Sequence, residues 1–277
     1  RPPLSLALGF REDAEARDLR RASALYARGR LADAAPLFAR HDSLEAKVGA
    51  AYARWPDGAL DRLEQLAKLY PEAAVVQLHL GLARLWANRG DPTPAWRAAL
   101  EAEPDTPYAI LAGNVLHPDL PRGLPSFIPS FGAPPSVTAL PPERQLEALR
   151  RRAEAGGARE LLLYGVGLQR VGRPVSARRA FAEAARRAPG DAEAQVAAAV
   201  ALFDKDDPAR AFGRLGPLTR RFPGEPSVRF HLGLLLVWTG RLREAERQFR
   251  LAAHTKPGSP LAREAERYLE TIRSARS

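Results

Sequence analysis

The sequence predicts an all-α chain of tandem helical hairpins, and three observations carry that prediction. Pro189, Pro223 and Pro257 recur at a strict spacing of 34 residues. Counting back from Pro189 gives Leu161, Gly165, Leu168, Ala177, Phe181 and Ala184, and counting back from Pro257 gives Gly233, Leu236, Ala245, Phe249 and Ala252 at the offsets of the last five. Within each copy the apolar residues fall three and four apart, which is the period of an amphipathic helix. Each copy therefore reads as two short helices with a turn between them, at Gly172, Asp206 and Asp207, or Gly240.

The residue types follow from packing one hairpin against the next. Gly165, Ala199 and Gly233 on the first helices, with Ala177, Ala211 and Ala245 on the second, let backbones approach, and Phe181, Leu215 and Phe249 fill the space between. Proline has no N–H and cannot continue a helix, so each period-marking proline ends a second helix. The repeats run over about residues 158–191, 192–225 and 226–259. A single hairpin cannot bury its own apolar face, so a terminal helix is required, and residues 260–275, with Leu261, Ala265, Tyr268, Leu269 and Ile272 apolar, fit that role.

This spacing and these residue types resemble the tetratricopeptide repeat (TPR), whose 34-residue signature runs through Leu-Gly, Ala, an aromatic and a closing Pro. The resemblance implies a right-handed α-solenoid of about six to seven hairpins. It implies as well a concave face lined by first helices, where exposed positions grip a partner protein. In this chain those positions are Leu162, Val166 and Gln169, then Val200 and Phe203, then Phe230, Leu234 and Trp238. In the N-terminal part they are Tyr26, Leu78, Leu82 and Trp86, with Trp86 and Trp238 at equivalent repeat positions. Leu162 and Val166 stand where the family's carboxylate clamp carries Lys and Asn, which argues against chaperone tails and for an apolar or amphipathic partner segment.

The N-terminal array, residues 1–116, is degenerate. After a short apolar lead, Leu4 to Phe10, come Leu19, Ala22, Leu25 and Tyr26, a turn at Gly29, then Ala34 and Phe38, without a closing proline. A second unit closes at Pro71 and a third at Pro104. Residues 107–116 read as the first helix of a fourth unit and residues 142–155 as its second. Between them lies an insertion, residues 117–142, with eight prolines and a tandem Pro-Ser-Phe that places Phe127, Ile128 and Phe131 among helix breakers. It is expected to be extended. It either straps the groove in cis or presents its apolar side chains to a partner in trans, and the cis strap is preferred because three exposed large apolar groups each forgo about 1.5–3 kcal/mol of burial. The C-terminal array then fills residues 143–277.

Composition bounds the chemistry. The 277 residues are 45% hydrophobic, enough for a large core. The longest apolar run, Leu232 to Trp238, falls far short of the roughly 20 residues of a membrane-spanning helix. With no cysteine, disulfides, thiolate metal sites and cysteine nucleophiles are excluded, and both an exported and a cytoplasmic location stay open. With no methionine, Arg1 is not expected to be the translation start. No phosphate loop, zinc helix or nucleophile elbow occurs, and the five histidines lack ligand spacing, although His79 and His231 occupy nearly equivalent repeat positions as packed residues. No enzyme activity, cofactor or metal is expected.

The net charge of +10 lies wholly in the second half, since residues 1–116 hold 15 basic and 15 acidic side chains while residues 117–277 hold 27 and 17. Arg186 and Arg187 in one repeat match Arg220 and Arg221 in the next, a basic stripe that either complements helix C-termini or binds anions. Interleaved acidic residues and the absence of stacking aromatics argue against nucleic acid. The preferred reading is a non-catalytic scaffold binding a protein through its groove, and the resemblance extends this to assembly of a bacterial envelope or pilus complex. Anion binding through the basic half, and a helical accessory domain of an enzyme whose catalytic part lies elsewhere, are the alternatives.

Overall fold

A computed structural model of the chain describes residues 1–274, and among them there are helices and no strand. The described residues form two compact units, Arg1–Pro118 and the chain from Asp119 onward. The first contains α1 (Ala14–Ala27), α2 (Leu31–Phe38), α3 (Leu44–Tyr52), α4 (Ala59–Leu69), α5 (Ala74–Ala87), α6 (Thr93–Ala102) and α7 (Pro107–Leu116). The second contains α8 (Pro135–Thr138), α9 (Pro142–Ala155), α10 (Ala158–Arg170), α11 (Pro174–Arg187), α12 (Ala192–Val200), α13 (Ala209–Leu215), α14 (Leu218–Arg221), α15 (Pro226–Trp238), α16 (Leu242–Thr255) and α17 (Pro260–Ser274).

Helix starts and stops are written locally. The side chains of Asp13, Ser43, Thr106 and Asp191 each accept a hydrogen bond from the backbone N–H three residues on, satisfying an orphan donor at the start of α1, α3, α7 and α12. Proline opens α7, α9, α11, α15 and α17, where its missing N–H is not needed. Two of the period-marking prolines, Pro189 and Pro257, lie two residues beyond α11 and α16, and Pro223 lies two beyond α14. Pro217 splits the second helix of the middle repeat into α13 and α14.

In the second unit α10 packs on α11, α12 on α13 and α15 on α16, with α17 laid against α15 and α16 as the expected cap. Residue 275 of the expected cap lies outside the described residues. In the first unit α1 pairs with α2, α3 with α4 and α5 with α6. The two helices expected to form a fourth hairpin fall in different units. Helix α7 packs on α5 and α6 as the end of the first unit, whereas α9 packs on α8 and α10 and opens the second. Both ends of an array need a closing helix, and the insertion leaves α7 and α9 to supply one each. Insertion residues 135–138 are themselves helical, and Val137 is buried with Leu149 and Leu163.

Three of the hairpin crossings rest on glycine set against an aromatic ring. A Cβ on Gly165 would stand 2.3 Å from the Phe181 ring, one on Gly81 2.3 Å from Trp96, and one on Gly233 2.8 Å from Phe249. Phe181 and Phe249 are fully buried, so they have no free space to yield. Gly213 on α13, by contrast, has nothing within 4 Å of a Cβ. Gly165→Ala should therefore destabilise the chain by about 1–3 kcal/mol through overpacking, while Gly213→Ala should be neutral or add up to ~1 kcal/mol of helix propensity. Urea denaturation of the two variants measures the pair, and equal effects would contradict the crossing.

Candidate functional site

The first helices of each unit present one face, and in both units that face is covered by a segment of the same chain. In the second unit the cover is the insertion. The Phe127 N–H donates to Gln169 Oε1 at 3.2 Å and the Gln169 amide donates back to the Phe127 carbonyl at 3.4 Å. The Ile128 N–H donates to His231 Nε2 at 3.0 Å, and the Ser130 N–H to Glu193 Oε1 at 2.9 Å. Gln169, Glu193 and His231 lie on α10, α12 and α15, so one segment is tied to the first helix of all three repeats. Earlier in the strap, Lys205 donates to the Pro121 carbonyl at 2.9 Å.

The side chains follow the backbone. Phe127 is 1% exposed, meets Phe181 edge-on at 5.5 Å and stacks on the His231 ring at 5.1 Å. Ile128 packs against the cluster around Phe230 and Phe249, and the Arg159 guanidinium lies 4.2 Å over the Phe131 ring. Burial of a Phe of this kind contributes about 1.5–3 kcal/mol.

The first unit repeats the device with its N-terminal residues. The Tyr26 hydroxyl donates to the Pro2 carbonyl at 2.8 Å, the Ser5 N–H donates to His79 Nε2 at 3.2 Å, and the Ala7 N–H to the Tyr108 hydroxyl at 2.9 Å. Leu8 is buried, with Leu4 and Leu6 packed on the same core. Beneath this strap Tyr26, Tyr52, His79 and Tyr108 form a ladder with ring centroids 5.8, 5.2 and 6.4 Å apart, one ring from each of α1, α3, α5 and α7. The Tyr52 hydroxyl donates to the His79 carbonyl at 2.9 Å, tying two rungs together.

His79 and His231 thus share a role as well as a register. Each Nδ1 lies 2.6 or 2.7 Å from the carbonyl four residues earlier, of Val75 or Ser227, which only an N–H can satisfy. That leaves Nε2 without a proton, and it accepts the strap N–H. Both rings are fully buried, and burial lowers each pKa from 6.5 to about 4, against the smaller opposing effect of the carbonyl bond. Burial raises the Glu193 carboxyl, opposed by its bonds to Ser130.

The sequence-proposed groove residues fall into three groups. Leu162, Val200, Phe203, Phe230 and Leu234 are buried, as are Tyr26, Leu78 and Leu82, which corrects their expected exposure: the straps and neighbouring hairpins cover them. Gln169, Val166 and Trp238 are partly buried, Gln169 bonded to the strap and Trp238 packed edge-on against Phe203 at 5.8 Å. Trp86 is 46% exposed beside Leu85 at 50%. Among the four stripe arginines, Arg186 and Arg187 share Glu183, whose carboxyl they hold down to about 2. Arg187 and Arg221 reach back to the Gly156 and Pro189 carbonyls at 3.0 and 2.7 Å. Those pairings join one repeat to the turn before it and leave little of an anion stripe.

The N-terminal strap is what sequence reasoning missed, since residues 4–10 read only as an apolar lead. A signal was present: Leu4, Leu6 and Leu8 alternate with Ser5 and Ala7, the period of an extended segment with one buried side.

The architecture is TPR-like. Helical hairpins fill both units, and in three of them a glycine, Gly81, Gly165 or Gly233, lets an aromatic ring of the second helix close on the first. No protein-family model matches the chain and no curated protein matches its sequence. Among solved structures it is similar to YrrB, a TPR protein with an unusual peptide-binding site, at 16% identity and a TM-score of 0.36 over 75% of this chain and 99% of that one. It is similar to the Cut9–Hcn1 hetero-tetramer of APC/C at 12% identity and a TM-score of 0.31, over 94% of this chain and 56% of that one. It is similar also to yeast Tom70 at 14% identity and a TM-score of 0.36, over the whole of this chain and 67% of that one.

The histidines set a pH dependence. In the unfolded chain each imidazole titrates near its ordinary value, so between pH 6.5 and about 4 the unfolded state binds more protons than the folded one. Stability attributable to each ring is therefore intact above about pH 6.5, falls as the pH drops toward 4, and levels below it. Glu193, raised in the fold, opposes this weakly just above its ordinary value of 4.5. Each histidine should account for about 2 kcal/mol of the loss between about pH 6.5 and 4.5. Urea denaturation at the two pH values should show that loss reduced in His231→Gln, and an unchanged loss would contradict a neutral buried imidazole.

Proposed function

We propose that this chain is a protein-interaction scaffold that takes extended peptide segments of partners on the first-helix faces of its repeats. The observation that carries the reading is the equivalence of His79 and His231, each accepting a backbone N–H from a non-helical segment. An imidazole used in this way is indifferent to the side chain of the residue it binds, so the face selects extended backbone, and the surrounding apolar side chains select for apolar residues. The reading assigns no catalytic step to the chain; among the described residues no three His, Asp or Glu side chains are gathered as a metal site.

The straps divide the sequence-proposed set. Leu78, Leu82, Leu162, Val200, Phe230 and Leu234 would meet a partner only after a strap has left, whereas Trp86 meets one directly. Its counterpart Trp238 shows the use of that register: Lys205 lies over the Trp238 ring, and a Cβ on Gly123 of the strap would stand 3.9 Å from it. In the first unit residues 2–8 run from Tyr26 to Tyr108, and Leu85 and Trp86 stay open at the C-terminal end of α5. The partner segment is assigned to that end. Assembly of a bacterial envelope or pilus complex is the setting proposed for it, and no residue of the face specifies one.

Panning a random linear peptide library against the intact chain tests the assignment. Enriched peptides should be apolar, and Trp86→Ala should weaken them roughly tenfold, the loss of one aromatic anchor. Enriched peptides indifferent to Trp86→Ala, or no enrichment, would contradict it.

A further inference from the structure

We propose that the groove between α2, α3 and α4 is a second docking surface, and that its occupant is an acidic amphipathic helix of another protein. The groove has a volume of about 550 Å³. It shares no residue with the strapped face, whose partners in this unit are Tyr26, His79 and Tyr108. Its floor is apolar, made by Phe38 of α2, Ala46 and Ala50 of α3 and Leu66 of α4. At its edge Leu69 is 71% exposed, the most exposed large apolar side chain among the described residues. Tyr70 beside it is 37% exposed.

The charge around this floor decides what fits. Lys47, Arg54 and Arg62 line the groove, and among the described residues none of them is in an ion pair. The acid in the lining is Asp42. His41, also in the lining, is engaged with Asp18 at 3.0 Å. Three uncompensated cations against one carboxylate attract an anionic partner, and the apolar floor with Leu69 requires that partner to bury apolar side chains as well.

A nucleic acid meets only half of that requirement. Single strands need exposed aromatic faces for their bases, and the one aromatic at this rim, Tyr70, already carries the Lys47 ammonium over its ring at 5.8 Å. A helix with leucines on one stripe and glutamates flanking them meets both halves, laying its stripe between the ridges of α2 and α4.

The test uses the intact chain and a short, fluorescein-labelled synthetic helix with Leu at i, i+3, i+4 and i+7 and Glu at flanking positions, read by fluorescence anisotropy. The native chain should bind it, more weakly as salt is raised. The double charge reversal K47E/R62E, at two side chains outside the core, should keep the native circular dichroism spectrum and weaken the peptide by roughly tenfold or more. Trp86→Ala should leave this affinity unchanged, which separates the groove from the strapped face. The proposal is overturned if the native chain does not bind the peptide, if K47E/R62E binds it equally well, or if oligo(dT) displaces it at equal concentration.

Discussion

A neutral imidazole inside a helical repeat, donating to the carbonyl one turn back and accepting from a strap N–H, is the constraint on which each unit depends. The first-helix faces are apolar along their length, and a bare array would leave Leu78, Leu162, Phe230 and their neighbours in water. Covering them with chain that is not helical brings backbone N–H groups into a dry place, where an unpaired one costs about 1–3 kcal/mol. His79, His231, Tyr108 and Gln169 are the acceptors that remove that cost. A protonated histidine could not serve, because both its nitrogens would donate. Burial and acceptor role therefore demand the same protonation state, and the lowered pKa expresses both.

The straps change what a repeat array of this kind offers to a partner. The width of the first-helix face is spent on the chain's own segments, so the open surfaces lie at its margins: Leu85 and Trp86 at the end of α5, and the basic groove of α2, α3 and α4. The excess basic charge of the second half does not mark a comparable surface. Arg186 and Arg187 are paired with Glu183 in their own helix, and Arg187 and Arg221 reach back to carbonyls one repeat earlier and tie their hairpins to the preceding turn.

The hairpins were legible in the sequence because their cause is local and periodic. The proline interval, the glycine beside each aromatic crossing and the helix-initial prolines each act within one repeat, and residues 107–116 and 142–155 are helices with the expected ends. Which helices pair was less legible. The offsets alone joined α7 to α9, and the competing requirement that each array be closed at its end divided them. The cover over the groove was partly legible: Phe127 and Ile128 stood out as apolar residues among prolines, and they are held in cis. The N-terminal strap was not, because its partners lie up to 101 residues away and its own signal is a few alternating leucines.

The account stands on the straps being part of the fold in solution. Native-state hydrogen exchange at the amides of Ser5, Ala7, Phe127 and Ile128 measures this most directly. All four should exchange only with opening free energies near that of global unfolding, as core amides do. Exchange of Ile128 and Ser5 at the rate of an unstructured peptide would mean that the histidines do not hold these segments, and would contradict the account.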